Sequence, residues 1–232
     1  MRILVTAGAT WAKVDDVRIL TNVFTGLTGL FLAEALAKKY PVTLLVNPHC
    51  FGGQVTAKGC RVKTFSYFDQ LRAAVIRELK VRKYDVIIHS AAVSDYLLKK
   101  PFKGKIASSS AGLKLELVPA PKLIKLMRAM APEAFIIQFK LEMSATGLLE
   151  KAQSSMLANA SDAVAANAYS DLKTGYKAYL ISRTHPVMTI NSKRDLAQKI
   201  DQLINAGPGF IYGFGKACLP AGREVNHGKA YQ

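Results

Sequence analysis

Residues 87–106, IIHSAAVSDYLLKKPFKGKI, carry an apolar run into small residues, an aspartate and four lysines around one glycine. These types in this order suit a small anion with a ring attached. Ala91 and Ala92 leave room for a flat ring or a sugar against a strand end, and Asp95 suits a ribose hydroxyl, a base amine or Mg²⁺. Lys105 opens an expected hairpin, where a flap can bring its ammonium over a polyphosphate. Lys99, Lys100 and Lys103 read as a solvated loop.

Two other stretches offer related chemistry. In TAGATWAKVDDVRILTNVFTGLTG, residues 6–29, Gly8 permits close backbone approach to a phosphate, and a helix amino terminus follows with free N–H groups. GAT alone is neither GxGxxG nor a Walker A loop, and by itself it reads as a tight turn. Arg18 either clasps Asp15 or Asp16 or faces a ligand. Asn22 is either a helix N-cap or an amide that holds a substrate carbonyl. In QFKLE, residues 138–142, Phe139 is either a core side chain or a stacking surface for a base.

The elements that must position these residues follow from periodicity. Strand-like runs at 2–7, 41–46, 62–65, 84–90, 135–139 and 162–167 alternate with helical spacing at 26–40, 68–80, 121–130 and 146–159. That alternation predicts an α/β, Rossmann-like, mostly parallel sheet with flanking helices. Residues 105–109 and 113–118 predict an antiparallel hairpin or flap, and 177–182 with 187–190 an edge hairpin, before a last helix over 192–204. We expect a single domain over 1–205 and an irregular tail over 206–232, where Gly and Pro are dense. In such sheets ligands collect beyond the carboxyl ends of strands where strand order reverses.

Composition narrows the classes. The 232 residues are 50% hydrophobic, enough for one large core. No apolar run approaches the roughly 18 residues that suggest a membrane span, and the chain opens directly on a strand. Cys50, Cys60 and Cys218 are odd in number and lack ligand spacing; a reducing, cytoplasmic setting is expected. The net charge of +16 favours anions. With no helix-turn-helix, zinc-finger or paired-aromatic signature, small anionic metabolites are a simpler expectation than nucleic acid.

Seven collinear pieces then resemble the phosphopantothenate-cysteine ligase family. They are TAGAT (6–10), DDVRILTN (15–22), HSAAVSDY (89–96), KIAS (105–108), PKLI (121–124), FKLE (139–142) and AAN (165–167), within a stretch from Met1 to Ile204. The resemblance implies a homodimeric enzyme of coenzyme A biosynthesis. It activates the carboxylate of 4'-phosphopantothenate with Mg²⁺ and CTP or ATP, releases pyrophosphate, and passes the acyl group to L-cysteine. By the family pattern Gly8, Ala9, Thr10, Ala91, Ala92 and Val93 line the nucleotide site, and Asp95 and Phe139 contact the nucleotide. Lys105 neutralises phosphates, Asn22 holds the acyl intermediate and Arg18 lies nearby; the metal ligands are not indicated.

Ala9 stands where the family has a second glycine, and Phe24 where a small hydroxyl residue is usual. Gln153, Ser154, Ser155 and Asn159 occupy a helix that carries lysines in fused bacterial relatives. These departures leave a catalytically degenerate ligase-like protein as one alternative. A short-chain-dehydrogenase-like NAD(P) oxidoreductase is another, from the Y-x-x-x-K spacings Tyr96–Lys100 and Tyr169–Lys173. A basic nucleic-acid-binding protein is the third.

Overall fold

The computed structural model describes residues 1–108, 112–172 and 175–206. Its centre is an eight-stranded sheet. The chain runs β1 (Ile3–Ala7), β2 (Trp11–Lys13), β3 (Ile19–Thr21), α1 (Leu27–Ala37), β4 (Val42–Val46), a 3₁₀ turn (Pro48–Phe51), β5 (Cys60–Thr64), α2 (Phe68–Val81) and β6 (Val86–His89). It continues through β7 (Tyr96–Leu98), β8 (Leu117–Pro119), α3 (Leu123–Met130), β9 (Phe135–Glu142), α4 (Leu148–Ala158), β10 (Ala163–Ala168), the short α5 (Tyr169–Leu172), β11 (Ala178–Ser182), β12 (Met188–Ile190) and α6 (Lys193–Asn205).

The sheet order is β12-β11-β10-β9-β6-β1-β4-β5, parallel from β10 to β5 and antiparallel at β11 and β12. β1 and β4 are buried along their whole length because helices cover both faces, which is why they read as continuous apolar runs. α1 and α6 pack one face through Leu32, Leu36, Leu196, Ile200 and Leu203. On the other, α2 and α3 bury Phe68, Leu71, Val75, Leu123, Ile124 and Met127, while α4 seats Leu148, Ala152 and Met156 on β10 and β11. Ser192 caps α6 by accepting the Asp195 N–H at 3.0 Å, and Gln70 accepts the Tyr67 N–H at 3.1 Å where α2 begins.

Three features depart from the expectations. The antiparallel flap exists, but its ladder joins Tyr96–Leu98 to Leu117–Pro119 rather than 105–109 to 113–118. Residues 105–108 are not a strand; their backbone is engaged elsewhere, as shown below. A second small hairpin, β2 with β3, lies within the stretch read as a loop, pairing Trp11 with Thr21 and Lys13 with Ile19. β9 also runs three residues past the expected 139. Of the expected tail, residues 207–232 lie outside the described residues.

Candidate functional site

Strand order reverses between β1 and β6, which lie side by side although β4 and β5 extend from β1 the other way. Beyond their carboxyl ends the two chains stay in register. The Ala92 N–H donates to Gly8 O at 3.0 Å, the Thr10 N–H to Ala92 O at 3.2 Å, and Ala9 faces Ala92. The Ser94 N–H donates to the Thr10 hydroxyl at 2.9 Å. Gly8, Ala9 and Thr10 are thus buried beneath the strand ends, and none of them lines the cleft.

Glycine is required twice here. Gly8 has φ +85° and Gly26 φ +72°, and a Cβ on Gly26 would lie 2.3 Å from the Gly8 nitrogen. The close backbone partner of Gly8 is therefore Gly26, at the start of α1. Asn47 and Cys50, not singled out from sequence, brace the same turn. Asn47 Nδ2 donates to Ala9 O at 2.6 Å, and the Ala9 N–H donates to Cys50 Sγ at 3.3 Å.

Beside this turn opens a cleft of about 450 Å³. Phe24 to Thr28 form one wall, Ser90, Ala91 and Ala92 the base, and Phe139, Lys140 and Leu141 the far side, with Ala165, Asn167, Tyr176, Ala178 and Lys193 closing it. Ala91, Ala92 and Phe139 meet here as their positions at the strand ends suggested. Lys140, Asn167, Tyr176 and Lys193 were missed. Asn167 stands two residues from Ala165 on β10, so alternation was an available signal for it; Lys140 neighbours Phe139 and alternation assigns it to the other face; Lys193 reaches the cleft only because the edge hairpin returns α6 to it. Phe24, a departure from the family pattern, lines the wall.

The remaining expected residues surround the cleft. Asn22 is exposed and its Nδ2 reaches Ala92 O at 3.3 Å and Val93 O at 3.4 Å, fastening it beside the cleft base. It does not cap α1, which starts from Gly26. Val93 packs against the core on the α2 side of the sheet. Arg18 pairs with Asp15 and donates to Ile106 O at 3.3 Å. Asp95 is exposed and paired with Lys122 at 2.6 Å. Lys105 is exposed and has no ion-pair partner among the described residues.

Local charge follows from these partners. Hydrogen bonds from Lys140 and Lys151 hold the Glu142 carboxyl below its ordinary range. Burial pushes the Tyr176 hydroxyl up to about 12, so it stays a neutral donor at pH 7. His89, at the end of β6, has Nδ1 2.9 Å from the Thr6 hydroxyl, and burial lowers it to about 4, leaving the ring neutral. Ser155 and Asn159 face inward instead of the cleft: Gln138 Nε2 donates to Ser155 Oγ at 3.1 Å and Asn159 Nδ2 to Gln138 Oε1 at 2.9 Å. No cluster of three His, Cys, Asp or Glu side chains suited to a metal occurs among the described residues. No helix among them is long and apolar enough to cross a membrane.

The model of the family described as DNA/pantothenate metabolism flavoprotein C-terminal domain matches residues 1–206. The chain is 34% identical over 168 residues to the coenzyme A biosynthesis bifunctional protein CoaBC of Thermococcus kodakarensis, covering 72% of this chain and 41% of that protein. It is 34% identical over 106 residues to phosphopantothenate--cysteine ligase 1 of Arabidopsis thaliana, covering 44% of this chain and 33% of that protein. The chain thus spans less than half the length of these two relatives. The crystal structure of the DNA/pantothenate metabolism flavoprotein from Streptococcus pneumoniae superposes with a TM-score of 0.78 at 26% identity, covering 89% of this chain and 99% of that one.

Proposed function

The chain belongs to this family of DNA/pantothenate metabolism flavoprotein C-terminal domains, and from that premise we propose that it joins 4'-phosphopantothenate to L-cysteine in coenzyme A biosynthesis. The substrate carboxylate attacks the α-phosphorus of CTP or ATP, and pyrophosphate leaves. The cysteine amine then attacks the acyl carbon of the acyl-nucleotide, forming the amide and releasing the nucleoside monophosphate. The ligase unit is residues 1–205, acting as a cytosolic homodimer.

The observation that carries this reading is the convergence of Ala91, Ala92 and Phe139 on one cleft at the strand-order reversal, with Asn22 fastened at its base. Phe139 offers the base a stacking face, and the small alanines admit the sugar. Buried Gly8, Ala9 and Thr10 support the Ala92 end of the site through backbone hydrogen bonds, and Asp95 contacts the nucleotide in this reading. Lys105 brings an unpaired ammonium to the phosphates, where activation develops negative charge. Asn22 holds the acyl carbonyl, with Arg18 bracing the preceding turn. The second step needs an oriented, desolvated carbonyl rather than a protein nucleophile.

Mg²⁺ belongs to this reading as a companion of the nucleotide. The described residues supply no three-ligand cage, and Mg²⁺ is commonly held by substrate phosphates with few protein ligands. The test is to incubate the chain with 4'-phosphopantothenate, Mg²⁺ and cysteine, adding CTP or ATP separately, and to follow pyrophosphate and the cysteine adduct. Turnover with one nucleotide supports the ligase and assigns its specificity. Silence with both overturns it in favour of a degenerate relative or an anion-binding role.

A further inference from the structure

The segment carrying Lys105 is gripped at every second residue by the turn between β2 and β3. The Phe102 N–H donates to Val14 O at 2.9 Å. Gly104 exchanges two bonds with Asp16: its N–H donates to Asp16 Oδ2 at 2.9 Å, and its carbonyl accepts the Asp16 N–H at 3.1 Å. The Ile106 N–H donates to Asp15 Oδ2 at 3.0 Å, and its carbonyl accepts from Arg18 Nη1 at 3.3 Å. Lys105, between two gripped residues, keeps its side chain exposed.

Asp15 is the centre of this clasp. Its side chain is 0% exposed, and both oxygens are used twice. Oδ1 accepts the Val17 and Arg18 N–H groups at 2.8 and 2.7 Å. Oδ2 accepts from Ile106 and from the Arg18 guanidinium. One carboxylate therefore fixes both the turn that leads through β3 to Asn22 and the backbone beside Lys105. A carboxylate accepts at all of these sites at once, whereas an amide cannot accept on its nitrogen.

We propose that Asp15, assisted by Asp16, is a positioning residue that fixes Lys105 relative to Asn22, coupling the phosphate-binding and acyl-binding halves of the site. This rests on the ligase reading above. The clasp lets an exposed lysine on a connecting segment meet a phosphate in one place, so part of its conformational entropy is removed before substrate arrives.

The experiment uses the full chain with Asp15→Asn and Asp16→Ala, each alone and combined with Lys105→Ala. Pyrophosphate release is measured in single turnovers, and backbone amide exchange is followed at Gly104 and Ile106. Asp15→Asn is expected to slow release about 10- to 100-fold, within the range for misplacing a catalytic group, and to speed Ile106 exchange. In the Lys105→Ala background it should cost little more, since the effect acts through Lys105. An equal loss in both backgrounds, or unchanged Ile106 exchange, overturns the proposal.

Should Asp15→Asn fail to fold, Asp16→Ala, at a half-exposed position, carries the same test by removing the acceptor of the Gly104 N–H. Absence of turnover in the unsubstituted chain overturns the ligase reading instead, while amide exchange still decides whether the clasp exists. Full activity of Lys105→Ala overturns the coupling, because Asp15 would then have no catalytic lysine to place.

Discussion

Asp15 and Glu78 are both buried acids with no side-chain exposure, yet they are satisfied in opposite ways. Asp15 takes three bonds from backbone N–H groups and one ion pair. Glu78 takes only side chains: Arg61 and Lys63 from β5, each at 2.5 Å, Tyr84 at 2.6 Å, and Arg82 at 3.6 Å. The Thr43 hydroxyl on β4 in turn donates to the Tyr84 oxygen at 3.0 Å. Glu78 thus fastens α2 to the sheet edge, tying rigid elements that apolar packing already holds. Asp15 ties loops that have little other packing. The difference separates a carboxylate that stabilises the fold from one that shapes the site.

The comparison is broken most severely if the loop region tolerates loss of its chemistry. Lys105→Ala should reduce pyrophosphate release by about 10²–10³-fold, the range for removing one preorganised stabiliser of transition-state charge. Its melting temperature should stay within about 2 °C, because an exposed side chain without an ion pair contributes little stability. A large loss of melting temperature with preserved turnover would reverse the roles assigned to the two regions.

Asn22→Asp sharpens the same point at the proposed acyl end. The Asn22 amide donates to two carbonyl oxygens, and an aspartate there would face them as an acceptor. The acyl-nucleotide should still form but convert to the cysteine adduct roughly 10- to 100-fold more slowly. Rapid-quench detection of the intermediate checks this; equal slowing of both steps would assign Asn22 a general structural role.

The converse change is Glu78→Gln, which leaves three cations around an uncharged amide. Breaking a buried ion pair costs about 3–5 kcal/mol, and the low end applies because its cations are a third or more exposed. The melting temperature should fall by roughly 6–12 °C. Turnover per folded molecule should not change, measured at a temperature where both proteins are folded.

This contrast also explains what the sequence revealed. Residues 2–7, 41–46 and 84–90 announce themselves because strands buried on both faces must be apolar. The hairpin β2–β3 did not, since its strands have three residues each and DDVR between them serves hydrogen bonding rather than packing. LKLELV shows strand alternation, but only its end pairs, and it pairs with Tyr96–Leu98 about twenty residues back. A turn signal points to the nearest neighbour; a distant ladder leaves no local mark. The cleft's small residues were readable because they directly follow a strand, and Phe139 because it stood at the expected end of one, although β9 runs on to Glu142. Lys193 and the double grip of Asp15 depend on elements meeting across the fold.

The smallest effect distinguishes the two acids by pH. Burial alone would raise Glu78, but hydrogen bonds from Lys63, Tyr84 and Arg61 outweigh it and hold it at about 2, below its ordinary 4.5. Asp15 is likewise depressed from 3.8, its burial outweighed by the backbone N–H groups of Ile106, Val17 and Arg18 and by the Arg18 side chain. In each case the unfolded chain takes up a proton before the folded one, so stability falls as pH falls. The Glu78 contribution is fully present above about 4.5 and is lost towards about 2, whereas that of Asp15 starts to fade only near 3.8. Urea unfolding midpoints at closely spaced pH values should therefore fall less steeply for Glu78→Gln than for the unsubstituted chain from about pH 4.5 downward. For Asp15→Asn the divergence should begin lower. Parallel profiles for Glu78→Gln and the unsubstituted chain would mean that Glu78 gains no net charge stabilisation on folding, and that the edge of the sheet is held by apolar packing alone.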